Sequence, residues 1–488
     1  MTTSRIYTKI MSVILMLLLI VSSLTSQALG KETDKTWEDI KKRGVLRVGL
    51  SADYAPYEFE KQINGKREYV GIDIEVAKRI AKDLGVELQI VNMQFDTLLG
   101  ALKTGKVDLL ISALTPTAER KKEVDFSIDY MEVPQKMIMK KKDKDTFKDI
   151  KDFNGKKVGA QKQSTQEELV KNELPDSDLQ ALARVPELIL SLKTGKIDGL
   201  AIEGPVAEAY LMKNPELTFA PGEFDTKDKG TAIAMPKSSP ILMAKVNTVL
   251  KDIMDKGLID QYKEKAGKAM LDDGSFLAKY GGFLATGLKN TIIVSIIGVL
   301  AGAILGGLIA LMKLSPFIPL KWLAVVYIEF IRGTPLLVQV FLVFFGTTAV
   351  LGLDISALVC GIIALIINSA AYIAEIIRAG INAVDKGQME AARSLGLNYK
   401  QSMKAVIMPQ AIKNILPALG NEFVTVIKES SIVSIIGVSE IMYNAQVIQG
   451  ASFDPFTPLI ITALFYFVLT FTLSRLLAYI EGRMSVSD

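Results

Sequence analysis

Apolar positions follow three different rules along the chain. Behind Arg5 and Lys9, residues 10–21 form one short, nearly unbroken apolar run. From about 35 to 269 the apolar residues come in short strings between amphipathic stretches, which predicts strands at 45–50 and 86–91 and helices at 72–84 and 95–102. Strand and helix in alternation predict α/β lobes. Beyond Lys289 lie five long apolar stretches, at about 291–312, 336–350, 357–377, 412–427 and 459–480. The second and fourth fall short of the ~20 residues a membrane span needs, so 327–330 and 432–438 are expected to be bent or re-entrant continuations.

The soluble stretch contains a near-repeat. Leu102-Lys103-Thr104-Gly105-Lys106-Val107-Asp108 returns ninety positions later as Leu192-Lys193-Thr194-Gly195-Lys196-Ile197-Asp198. Each copy reads as a helix end, a glycine cap and a following apolar strand. Two copies at that spacing predict two lobes of similar construction. The expected architecture is a two-lobed α/β domain over 35–269, a short linker over 270–276, and an all-α transmembrane domain of about five helices over 277–483.

Charge placement orients this plan. The positive flank, short apolar core and Ser26-x-Ala28 step read as a secretory signal peptide over 1–28, with an uncleaved anchoring helix as the plainer alternative. Lys313, Lys321 and Arg332 lie between the first and second apolar stretches, and Lys386, Arg393, Lys400 and Lys404 between the third and fourth. The connections at 347–354 and 439–454 carry no Lys or Arg. The positive-inside rule then puts Asp488 inside, and the expected location is the cell membrane, multi-pass, with the soluble domain on the extracellular side.

Composition narrows the chemistry. The 57 Lys+Arg against 53 Asp+Glu leave a net charge of only +4, which gives no reason to expect nucleic acid as a partner. With one Cys, Cys360, and no His, the chain cannot build a disulfide framework, a thiol or imidazole metal site, or a His-based triad. No metal and no catalytic residue is therefore expected. Gly100 to Lys106 fits the first part of a phosphate loop, but Val107 stands where Ser or Thr should hold Mg²⁺, and the order is helix then strand, so that reading is rejected.

Ligands of open α/β sheets sit beyond the carboxyl ends of strands, so the residues after each copy of the repeat are the ones to weigh. Arg120 follows the first copy, near Thr115, and suits a carboxylate; Glu203 follows the second and suits an ammonium group. Ordinary surface ion pairs are the plainer account of a lone Arg and a lone Glu. Their matched places after a repeated strand favour joint recognition of a zwitterion. In the apolar part, Glu422, Lys428 and Glu429 are the ionisable candidates near the fourth stretch, and Glu422 after Gly420-Asn421 is the one that could face a transmembrane substrate path, a structural pair at the membrane edge being the alternative.

The segments 53–59, 70–74, 112–120 with 125–127, and 158–167 resemble the type II periplasmic amino-acid-binding proteins. The resemblance implies a periplasmic-binding-protein-like (type II) fold and a free amino acid as ligand. By that likeness, Arg120 with Thr115 and the loop of Ser164 and Thr165 would take the α-carboxylate. The backbone at Ala113 and the Glu203 carboxylate would take the α-ammonium, with Tyr54 and Phe95 covering the side chain. Three positions depart from the pattern: Glu203 where Asp is more common, Gln163 where Gly is usual and a different turn backbone would follow, and Ser51 where several members have Asp.

Glu390-Ala391-Ala392, then Gly396, then Val406-Ile407-Met408-Pro409 resemble the coupling loop of ABC importer permeases, expected near 384–409. The 332–339 and 371–380 segments resemble the polar amino acid subgroup of those permeases. A short helix with a small-residue face and a Gly stop can enter a groove on a soluble motor. The likeness implies a transport subunit with no enzymatic activity of its own, working as a homodimer in the lipid bilayer with a separate ATP-binding cassette ATPase that uses ATP and Mg. No cofactor is expected on this chain. Glutamine or a basic amino acid such as arginine, lysine or histidine is the expected substrate, since no spare Arg is placed to meet a second carboxylate. An amino-acid-gated channel or receptor is the rival reading.

Overall fold

The structure is a computed structural model and describes residues 34–63, 66–226, 230–270 and 275–485. The expected signal peptide, 1–28, lies outside the described residues, as do 271–274 of the expected linker.

The soluble part opens with α1 (Lys35–Arg43), capped by Asp34, whose carboxylate accepts the Trp37 N–H at 2.9 Å. Then come β1 (Val45–Leu50), β2 (Asp53–Tyr54), β3 (Glu58–Ile63), β4 (Lys66–Val70), α2 (Ile72–Leu84), β5 (Glu87–Asn92), α3 (Leu98–Lys103), β6 (Leu109–Leu110), α4 (Ala118–Glu123) and β7 (Asp125–Phe126). The chain crosses at β8 (Met131–Glu132) into β9 (Gln135–Lys140), β10 (Lys157–Gln161), α5 (Thr165–Glu173), β11 (Asp178–Leu182), α6 (Val185–Thr194), β12 (Gly199–Glu203), α7 (Gly204–Lys213) and β13 (Leu217–Phe219). It returns through β14 (Gly230–Thr231), paired with β8, to β15 (Ala234–Met235), α8 (Pro240–Asp255) and α9 (Leu258–Met270).

Two five-stranded sheets result, ordered β5-β1-β6-β15-β7 and β11-β10-β12-β9-β13. Their plan is the same. β1, the opening strand of the first, pairs in parallel with β5 after its first helix and with β6 after the repeated segment, and its counterpart β10 in the second pairs in parallel with β11 and with β12 in the same way. Helices cover both faces of such a sheet, so β1 reads as a nearly continuous buried run, with Leu46, Val48 and Leu50 fully enclosed. The repeat predicted from sequence is thus a structural repeat of lobes.

The helical domain runs α10 (Phe276–Leu314), α11 (Ile318–Arg332), α12 (Leu336–Ala349), α13 (Ala357–Asn382), α14 (Lys386–Ser394), α15 (Tyr399–Ser402), a π turn at Met403–Ile407, α16 (Met408–Glu429), a 3₁₀ turn at Ser430–Ile436, α17 (Ile441–Ser452) and α18 (Thr457–Ser485). Among the described residues three helices are long and apolar enough to cross a membrane, and two bent pairs bring the number to five. The pairs bend by 106° between α11 and α12, where Pro335 interrupts the helix, and by 49° before α17. Those bends lie where the short apolar stretches called for continuations. Gly302 and Gly306 let α10 lie against α13: a methyl group on Gly306 would stand 2.7 Å from the Ala370 carbonyl oxygen. The 439–454 segment differs from expectation, since most of it is the helix α17 and not an open connection.

The soluble domain rests on one end of this bundle. Arg47 donates to Asp354 (3.0 Å) and Lys106 to the Ile355 carbonyl (2.7 Å), between α12 and α13. Asn92 donates to the Tyr443 hydroxyl (2.6 Å), which donates to Glu60 (2.7 Å), while Arg67 donates to Ser439 (2.8 Å). The second lobe adds Tyr210, edge-on to Phe453 with ring centroids 5.0 Å apart. Gly437, at φ +89°, brings its backbone so close that a methyl there would meet the Asn92 carbonyl oxygen at 2.1 Å. Many of these helical-domain residues lie in the two connections that carry no Lys or Arg. From that end α13 runs 26 residues, about 39 Å at 1.5 Å per residue, to the basic end that holds α14.

Candidate functional site

The cleft between the lobes is lined from both sheets. Arg120, 6% exposed, sits on α4, whose N-cap Thr117 accepts the Arg120 N–H. Its guanidinium donates to the Thr115 carbonyl at 2.9 Å and, across the cleft, to the Gln163 carbonyl at 2.7 Å. Phe95 lies against the same cation, its ring centroid 5.8 Å away. Burial with no carboxylate bonded to it holds the Arg120 pKa below its ordinary value. A buried guanidinium with only carbonyl acceptors is suited to receive an anionic oxygen pair.

Glu203 ends β12 in the other lobe, 3% exposed, and its Oε2 has no hydrogen-bond partner. Burial first, with a push from the Asp73 carboxylate, raises its pKa to about 8, against stabilising contacts from Tyr57, Gln135 and Gln166. Asp73 is fully buried, accepts from the Ala113 N–H (2.7 Å) and the Tyr130 hydroxyl (2.7 Å), and is itself pushed by burial to about 6. Glu58, also fully buried, accepts from Ser112 and leaves Oε2 unpartnered. Tyr54 stacks on Tyr57 with centroids 5.7 Å apart and feels the Glu203 charge. The cleft therefore has one cationic wall and a carboxylate-rich one.

Of the residues singled out from sequence, Phe95 and Thr115 contact Arg120, and Arg120 and Tyr54 both lie within electrostatic reach of Glu203. Ala113 takes φ +47° and gives its N–H to Asp73; an ammonium, a donor itself, could bond there only to the Ala113 carbonyl. The Ser164 hydroxyl is spent as a helix cap, donating to the Gln161 carbonyl (2.6 Å) and accepting the Glu167 N–H, while Thr165 opens α5. Gln163 adopts φ +60°, so the turn keeps the left-handed backbone that a glycine would take there, contrary to the different backbone expected. Glu58, Asp73, Tyr57 and Tyr130 were not assigned roles from sequence. Glu58 and Asp73 lie inside the quoted motifs, but no local pattern announces that their carboxylates converge.

At the far end of the helical domain, Glu390 and Ala391 on α14 are exposed, Ala392 is buried, and Gly396 turns the chain at φ +87°. Leu395, 84% exposed, stands at the tip. Glu422 lies buried on α16 beside Ser369 of α13.

Comparison with known proteins fits both halves. Residues 46–269 match the family described as bacterial extracellular solute-binding proteins, family 3, and 298–486 match the binding-protein-dependent transport system inner membrane component. The arginine transport system permease protein ArtQ of Bacillus subtilis (strain 168) is 43% identical over 206 residues, 42% of this chain and 94% of ArtQ. The chain belongs to the binding-protein-dependent transport permeases. Its solute-binding domain is fused ahead of the permease domain. The permease half is also 43% identical, over 201 residues, to the probable glutamine ABC transporter permease protein GlnM of the same organism, covering 41% of this chain and 93% of GlnM. The binding half is 41% identical to a solved substrate-binding protein, AbpA of Streptococcus pneumoniae Canada MDR_19A bound to L-arginine, covering 48% of this chain and 100% of that one with a TM-score of 0.47.

Proposed function

We propose that this permease captures a polar amino acid between its two lobes on the extracellular side and passes it inward through the helical domain, driven by a separate ATPase seated on α14. The observation that carries the reading is the cleft itself: a buried guanidinium faces a buried carboxylate with an unpartnered oxygen, on opposite lobes of a domain docked on a permease. Arg120 would take the α-carboxylate, with Thr115 and the α5 turn of Ser164 and Thr165 shaping its side. Glu203 and the Ala113 carbonyl would take the α-ammonium, while Tyr54 and Phe95 flank the side chain. Burial pushes the Glu58 carboxyl well above the usual range, so it is neutral there, whereas Asp73, at about 6, adds negative potential that favours a basic or neutral side chain over an acidic one. Similarity to an arginine permease supports L-arginine first, and similarity to a glutamine permease supports L-glutamine second.

One set of spans supplies half a pore, so two copies would assemble, with Glu390, Ala391 and Gly396 presenting the α14 tip to the motor. ATP and Mg would be bound there and not on this chain. Glu422 is the candidate for the inner substrate path. The test is calorimetric titration of the full-length chain in nanodiscs with the common L-amino acids. Saturable binding of arginine or glutamine at micromolar or tighter Kd, with L-glutamate inert, is the expected result; no heat with any amino acid would sink the reading.

A further inference from the structure

Both lobes and the membrane domain meet in one buried cluster. Arg184, which precedes α6 in the second lobe, is 7% exposed and holds two partners at once. Its Nη2 lies 2.7 Å from Asp53 Oδ2 on β2 of the first lobe. Its Nη1 donates to Gln446 Oε1 on α17 at 2.9 Å. Asp53 also accepts from Ser51 Oγ at 2.8 Å, and the next residue, Tyr54, borders the cleft. A cavity of about 10 Å³ beside them, lined by Ser51, Asp53, Ser434 and Tyr443 among others, has room for about one water and no solute.

The three side chains sit on three bodies that must move relative to one another if the cleft opens. A planar guanidinium can serve two acceptors in fixed directions, which an ammonium does poorly. Were the lobes to part, Asp53 would leave Arg184, and Gln446 would face a buried cation that has lost its bonded carboxylate, with Glu187 of α6 near it but not bonded. A buried charge deprived of its partner is strongly unfavourable. Docking and closure are therefore coupled through one residue.

Resting on the import reading above, we propose that Arg184 is the closure sensor of the docked domain: α17 grips the binding domain through Gln446 only while Asp53 of the other lobe neutralises Arg184. The unlatching of this triad is then the step that frees the second lobe for release of the solute.

The test uses the full-length chain in lipid nanodiscs, with donor and acceptor dyes on the exposed positions Lys196→Cys in the second lobe and Leu351→Cys between α12 and α13. Energy transfer reports the docked-to-undocked ratio, without added amino acid and with L-arginine. Arg184→Ala and Gln446→Ala are each expected to lower that ratio about tenfold, which is about 1.4 kcal/mol. The double variant should fall no further than the worse single one, and Arg184→Lys should recover part of the loss. An unchanged ratio in Gln446→Ala, or losses that multiply in the double variant, overturns the proposal. Should Arg184→Ala fail to fold, Arg184→Lys with Gln446→Ala carries the same comparison. Failure of L-arginine and L-glutamine to bind would count against the substrate reading alone, because the ratio is read without ligand as well.

Discussion

The two copies of the repeated segment have the same local fold and different work. In both, a glycine in the left-handed region closes a helix, Gly105 at φ +74° and Gly195 at +77°, and the next strand enters the sheet beside the opening strand. Lys106 of the first copy is buried, its ammonium bonded to the Ile355 carbonyl and 4.8 Å from the Phe344 ring centroid. Asp108 of the same copy pairs with Arg43 and Arg47, and Arg47 reaches Asp354. Lys196 of the second copy is exposed, and Asp198 does no more than accept the Lys157 N–H. The repeated letters encode the turn; what each copy touches is decided by which lobe faces the membrane domain.

The difference extends to the residues beyond each strand, and it can be broken most severely there. Arg120→Ala removes the cation that follows the first copy and is expected to weaken amino-acid binding at least about 100-fold, the scale of about 3 kcal/mol for a buried charge left without its partner. Calorimetry on the full chain reads it. A retained affinity would mean that the carboxylate is held elsewhere.

Glu203, after the second copy, should show itself through pH. Its value of about 8 lies above the ordinary 4.5, so it keeps its proton at pH 7, and an incoming ammonium must displace that proton. Affinity should therefore rise about tenfold per unit between pH 6 and 7.5, with close to one proton released per ligand in buffers of different ionisation enthalpy. Glu203→Gln should weaken binding and flatten the profile. For the ligand-free domain the sign reverses: the stability linked to Glu203 is full below about 4.5 and is lost as pH rises through about 8.

A smaller effect separates the two lysines directly. Lys106→Ala should cost about 1.5–3 kcal/mol of docking, the scale of a hydrogen bond to a charged group, and raise hydrogen exchange across 353–356. Lys196→Ala should stay within about 0.5 kcal/mol of the parent. Equal responses would erase the distinction between the copies. A small change of the opposite sign is expected at Gln163, where glycine would relieve a left-handed backbone; Gln163→Gly should stabilise by up to about 1 kcal/mol in a thermal melt.

Much of this was legible in the chain. Periodicity and the repeat pointed to the lobes, the short apolar stretches at 336–350 and 412–427 pointed to the bends, and Arg120 and Glu203, singled out after matched strands, are buried on opposite lobes. The docking surface was not legible. Arg47 and Asp354 are 307 positions apart, and Arg184 and Gln446 are 262 apart. Nothing local ties such pairs together. Helix α17 was hidden for a related reason: Asn444, Gln446 and Gln449 are buried polar residues, and their polarity mimics a solvent-exposed connection. Likewise Ser164 carries the residue type expected of a ligand contact, yet its hydroxyl is consumed by the helix it caps.

Helix α10 extends from Phe276 to Leu314, 39 residues, or about 58 Å against a hydrocarbon layer of about 30 Å. Its N-terminal end is part of the seat on which the soluble domain rests, since Gly282 packs on Gln62 of β3. A helix that long would act as a lever if it pivoted within the bilayer. A tilt of about 10° at the midplane sweeps an end about 40 Å away through about 7 Å. Any tilt of the helix within the bundle would thereby be magnified at the seat.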